Sequence, residues 1–75
     1  MAAHTYKVIE LVGTSSEGVT EAITEAVDKA AESIKGLDWF EVTQIRGQIE
    51  NQKVAWYQVD LKVGFRVMSA EELKG

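Results

Sequence analysis

Few side chains in this sequence have the types and spacing that chemistry needs. Gly13 and Gly18 show the G-x-x-x-x-G spacing that opens a phosphate-binding loop. The next residues are Val19-Thr20 rather than Lys-Ser or Lys-Thr, and Glu17 would repel phosphate, so the stretch reads as a turn. His4 has no acid–base partner evident in the sequence and reads as a solvated or interface residue. Ser15, Ser16, Ser33 and Ser69 fall in turn, helix or tail contexts without a nucleophile elbow. Cysteine is absent and there is one histidine, which removes disulfides, thiolate chemistry and a plausible zinc site. Nothing here argues for an enzyme. Trp39 is more informative. It stands beside Asp38, just after Gly36 and at the start of a strand-like segment. An indole facing away from a core either packs against a partner chain or offers its ring to a planar ligand. Taken alone, the residue favours packing.

The elements that must carry Trp39 follow from periodicity. Tyr6 to Val12 alternates with the two-residue period of a strand. A loop over residues 13–18 precedes a helix expected from Val19 to Lys35. Its apolar stripe is Val19, Ile23, Ala26, Val27, Ala30 and Ile34. Gly18 or a preceding serine would cap its start, and Gly36 suits the left-handed position that stops it. Segments 39–50 and 53–67 return to a period of two around Asn51-Gln52, a two-residue hairpin turn in which Gln is a poor second residue. Pairing Glu50 with Lys53 sets Phe40 opposite Val63, Val42 opposite Leu61 and Ile45 opposite Gln58. Tyr57, Val59, Leu61, Val63 and Phe65 then share the face that the helix covers, with Phe40 and Val42 in its core. The opposite face carries Trp39, Ile45, Ile49, Trp56 and Gln58. A right-handed crossover with all-antiparallel pairing requires strand order 1-3-2. The expected fold is α+β, β-α-β-β, one helix on a three-stranded antiparallel sheet. It forms a single domain over 1–75, with an ordered core of about 5–67 and a tail at 68–75.

Composition bounds what such a domain does. The 75 residues are 45% hydrophobic and 27% charged, with a net charge of −4, which disfavours nonspecific binding to nucleic acid or anionic membrane. No apolar run approaches a spanning helix, and Lys7 and Glu10 interrupt the N-terminal candidate for a signal sequence, so a cytoplasmic location is expected. Below roughly 70–80 residues a single core rarely suffices without a staple. With disulfides and zinc set aside, oligomerisation is the expected device, and the apolar face around Trp39 is its natural surface.

Four strings extend this reading. They are residues 6–15 (Tyr6-Lys7-Val8-Ile9-Glu10-Leu11-Val12-Gly13-Thr14-Ser15), Gly36-Leu37-Asp38-Trp39-Phe40-Glu41-Val42, Ile45-Arg46-Gly47, and Tyr57-Gln58-Val59 with Lys62-Val63-Gly64-Phe65-Arg66. In that order, from roughly Thr5 to Val67, they resemble the dodecins, small flavin-binding proteins that assemble into hollow homododecamers. The resemblance implies flavin storage or sequestration, FMN or riboflavin being held between Trp rings at subunit interfaces, with its photochemistry quenched. It gives the stacking role to Trp39 and a hydrogen bond to the polar edge of the ring to Gln58. Arg46 matches a bacterial-type residue near the flavin and implies a preference for FMN. Some bacterial members also bind coenzyme A, for whose phosphates Lys7, Lys29, Lys35 and Arg66 are the basic candidates. Two departures stand out. Trp56 replaces a His found in many relatives, and Asn51-Gln52 replaces a turn such as Asp-Gly. The hairpin register agrees with a shared site: Trp39 lies six positions from the residue facing Gln58, about 20 Å at ~3.3 Å per residue. One small ligand touches both only if they come from different chains. The competing reading is a structural or protein-interaction homo-oligomer that binds no flavin.

Overall fold

Alternation that begins at Tyr6 continues three residues beyond the expected end of the first strand. The computed structural model describes residues 3–67. In it, β1 spans Tyr6–Ser15, α1 Val19–Ala31, β2 Leu37–Glu50 and β3 Lys53–Arg66. The expected tail at 68–75 lies outside the described residues. Gly13 is therefore a strand residue and not the start of a loop. A Cβ there would run into the carbonyl oxygen of Ala22 and lie 3.0 Å from the Ala26 Cβ. Its missing side chain lets β1 pass directly beneath the helix.

The helix presents Ala22, Ala26 and Ala30 as its buried line, at four-residue spacing, with Val19, Ile23 and Val27 beside it. Alanines bring its axis close to the sheet; Ala22 was not among the stripe residues expected. The helix ends at Ala31 rather than Lys35. The amides of Glu32 and Ser33 donate to the carbonyls of Lys29 and Ala30, each at 3.2 Å, tightening the last turn into i→i−3 bonds. Gly36, at φ 82, then turns the chain into β2 instead of capping the helix itself.

The sheet is antiparallel in the order β1-β3-β2, as expected. Asn51 (φ 52) and Gln52 (φ 66) both take the left-handed conformation that a type I′ turn demands, despite the unfavourable Gln. The expected register holds at the turn, where Glu50 faces Lys53, and toward the far end, where Phe40 faces Val63 and Val42 faces Leu61. Between these it slips. Thr43 bulges out of the ladder between Val42 and Gln44, and its hydroxyl donates to the Asp60 carbonyl at 3.1 Å. A second irregularity between Gln48 and Ile49 restores the original pairing. Within the slipped stretch Gln58 faces Arg46 and not Ile45, and Ile45 joins Val59 on the helix side of the sheet. A further bulge at Asp38 separates the Leu37–Phe65 and Trp39–Gly64 pairs.

Val59, Leu61 and Val63 of the central strand form the core with Ala22 and Ala26. The helix lies chiefly over β1 and β3, so β2 stays outboard. Phe40, expected in the core, is on the helix side but 50% exposed. The described chain measures 54 × 20 × 14 Å with a radius of gyration of 15.4 Å, against about 11 Å for a compact chain of this length. It exposes 5630 Å², where a compact monomer of 8.3 kDa exposes about 4600 Å². Much of its apolar surface thus has no cover within the chain.

Candidate functional site

Trp39 occupies the second position of the Asp38 bulge, opposite Gly64 of β3, which in turn pairs with Val8 of β1. Gly64 alternates with the buried Val63, which puts the indole on the sheet face away from the helix, as the sequence implies. The glycine forms the floor under the ring. A Cβ on Gly64 would overlap indole carbons Cε2 and Cζ2 and lie 2.7 Å from Nε1. One ring face is therefore seated on backbone while the residue stays 41% exposed. Tyr6 flanks it, with ring centroids 6.2 Å apart and planes tilted by 60°. The Tyr6 hydroxyl donates to Asp38 Oδ2 at 2.6 Å. That bond, with lesser contributions from desolvation and the Asp38 charge, raises the phenol pKa above its ordinary value; Arg66 pulls the other way. His4 completes this end, its ring 6.4 Å from Tyr6 and its Nδ1 3.5 Å from Arg66 Nη1.

Arg46 and Gln58 are brought together by the Thr43 bulge as directly opposed cross-strand neighbours. Gln58 shares the even-numbered face of β3 with Gly64, so both residues lie on the Trp39 side of the sheet. Gln58 is half-buried, and Arg46 Nη2 donates to Gln44 Oε1 at 3.1 Å. Gln58 and Gly64 are six positions apart on β3, about 20 Å at ~3.3 Å per residue, so Trp39 stands apart from this polar pair.

Three of the four basic candidates meet. Lys7, Lys35 and Arg66 line a hollow of about 570 Å³ with Ser33, Ile34 and Phe65. Lys29 does not join them; it lines a neighbouring hollow of about 420 Å³ alongside Glu25. Among the described residues no three His, Asp or Glu side chains are arranged to hold a metal ion, and no helix is long and apolar enough to cross a membrane.

Tyr6, Asp38 and Gly64 belong to the Trp39 surroundings and were not singled out by sequence reasoning. Gly64 carried a signal, because a glycine inside an apolar strand marks a close approach by something else. The Tyr6–Asp38 bond joins β1 to β2 across the central strand, and no local pattern announces it.

Comparison with known proteins covers nearly the whole described chain. The family model for dodecin matches residues 5–68. A dodecin of Thermus thermophilus is 53% identical over 62 residues, which is 83% of this chain and 90% of that protein. The structure of dodecin from Streptomyces coelicolor superposes with a TM-score of 0.85 at 54% identity, over 93% of this chain and all of the other. Dodecin from Streptomyces davaonensis gives a TM-score of 0.85 at 46% identity, over 91% of this chain and again all of the other.

Proposed function

The chain belongs to the dodecin family, and we propose that it is a homododecameric flavin-storage protein that holds FMN or riboflavin between Trp39 side chains of different subunits. The observation that carries this reading is the Trp39 indole laid on Gly64, one face seated on backbone and the residue still 41% exposed. A ring so placed is a platform for a flat ligand, and its glycine floor keeps it from rotating into the sheet. Arg46 and Gln58, paired on the same sheet face about 20 Å away, supply a cation and an amide for the polar edge of a ligand held by a neighbouring subunit. The excess of exposed surface and the uncovered flank of β2 support assembly.

Flavin, when bound, supplies a conjugated ring that absorbs visible light. Trp39 contributes stacking, which tolerates related ring systems because every flat heteroaromatic has a π-face. Its electron-rich indole would also be the donor beside a bound ring, through which the excited ring could be quenched with no net reaction. The Arg46 guanidinium favours a ligand carrying phosphate, hence FMN. Storage, not turnover, is the role. The hollow lined by Lys7, Lys35 and Arg66 would suit a second, phosphate-bearing ligand such as coenzyme A, with Lys29 in the neighbouring hollow.

A fluorescence titration of flavin-free protein with FMN tests the reading. Binding should approach one FMN per chain with strong quenching, and light scattering should give about twelve times 8.3 kDa. Trp39→Ala should leave the assembly largely intact and weaken FMN by about 5–150-fold, the span of one stacking contact, with brighter residual bound flavin. A native assembly that takes up no FMN would instead favour the structural homo-oligomer, which the exposed Ile49 and Trp56 at the hairpin end serve equally well.

A further inference from the structure

Trp39 sits at an exposed position that its own strand does not secure. It follows directly on the Asp38 bulge, where the β2–β3 ladder is interrupted, and β2 is an edge strand. Gly64 seats one face of the indole but, having no side chain, offers no wall at the edge of the ring. The restraint comes from β1, two strands away. Tyr6 reaches over β3, packs its ring at 60° to the indole and donates its hydroxyl to Asp38, the residue that precedes Trp39. The contact joins positions 32 residues apart and ties the bulge to the far edge of the sheet.

We propose that Tyr6 is a positioning residue for Trp39, its hydrogen bond to Asp38 fixing the bulge and its ring fixing the indole, so that the open indole face is presented ready for a planar ligand. The proposal rests on the reading of Trp39 as the stacking residue. A preformed platform loses less side-chain freedom when the ligand arrives, so the clamp acts on affinity without touching the ligand. Tyr6 is well suited to this because its ring and its hydroxyl work on different neighbours. Removing the hydroxyl alone releases Asp38 and leaves the ring beside Trp39.

Tyr6→Phe, Asp38→Ala and Asp38→Asn, each in a Trp56→Phe background, separate these contributions. Time-resolved anisotropy then reports the motion of Trp39 alone, with no flavin present. Tyr6→Phe and Asp38→Ala should each increase the fast component of Trp39 motion, and the double variant should move no further than either single one. Asp38→Asn keeps an acceptor for the phenol and should stay near wild type. FMN affinity should fall by about threefold to tenfold in the first two variants, the range of an exposed hydrogen bond. Near-ultraviolet circular dichroism of the same substitutions in the otherwise native chain gives the comparison without Trp56→Phe. Unchanged Trp39 motion and dichroism in Tyr6→Phe would overturn the proposal. Failure of the wild-type protein to bind FMN would overturn the functional reading instead, and the flavin-free anisotropy would still decide the clamp.

Discussion

Two apolar stretches of β3 have opposite surroundings. Val59, Leu61 and Val63 are buried beneath the alanine line of α1, whereas Val54 and Trp56, a few residues earlier on the same strand, are exposed. Composition does not separate them. Reach does: thirteen helical residues span about 20 Å at 1.5 Å each, whereas fourteen strand residues extend about 46 Å at ~3.3 Å each. The helix covers less than half of the hairpin it packs on. One end of the strand is thus the core of the chain, and the other, with Ile49 of β2, is an apolar surface left for something outside it. A chain of this size cannot afford both a long hairpin and a self-contained core.

The sharpest way to break the comparison is to weaken the covered end. Leu61→Ala removes the largest fully buried side chain at the centre of the core. It should cost about 2–5 kcal/mol, comparable to the whole stability of so small a domain. Chemical denaturation should show a chain folded only partly, or only while assembled. A loss below about 1 kcal/mol would mean that the core is held mainly by contacts between chains.

At the open end the effect should be smaller and of another kind. Ile49 is 70% exposed, so Ile49→Asp disturbs little within the chain itself. Across an interface it places a charge where an apolar group was buried, and the loss of about 1.5–3 kcal/mol is repeated at each equivalent contact. Light scattering should show the assembly dissociating at micromolar concentration, while far-ultraviolet circular dichroism retains the β-α-β-β signature. An unaffected assembly would mean that the hairpin tip faces solvent there too.

The same division explains what the sequence disclosed. Element order follows from periodicity, because burial imposes a period wherever one face is covered; strand order 1-3-2 follows from crossover handedness, and the register at the turn from the two-residue Asn51-Gln52 connection. The register slip at Thr43 lies beyond these influences. Threonine is an ordinary strand residue, and β2 is exposed at every position from residue 43 to 50, so no pattern marks one extra residue. That slip is what sets Arg46 against Gln58, so the two polar residues were legible singly and their pairing was not. The seat of Trp39 on Gly64 and the contact of Gly13 with Ala22 were equally hidden, since both depend on which backbone approaches which.

The smallest effect concerns the Tyr6–Asp38 bond, and alkaline pH isolates it. The folded chain raises the Tyr6 phenol above its ordinary pKa of 10.0, first through the hydrogen bond to Asp38, then through desolvation and the Asp38 charge. A raised acid means that the folded state holds the phenolic proton more tightly than the unfolded state does. Its contribution to stability is therefore fully present below about pH 10 and is lost as pH climbs through the higher folded value. Above that value the phenolate faces the Asp38 carboxylate, and the bond becomes a repulsion. The pH dependence of Tm in wild type must be compared with that of Tyr6→Phe, in which every other group is unchanged. The two curves should run parallel below about pH 9 and converge above pH 10, because only wild type has this bond to lose. Solvent exposure keeps the gap small. The difference in phenolate absorbance between the two proteins should titrate above pH 10 in the native state and shift back toward 10 in denaturant. A native transition at or below 10 would show that the hydroxyl is not held by Asp38 in solution, and the tie between β1 and the Trp39 bulge would go with it.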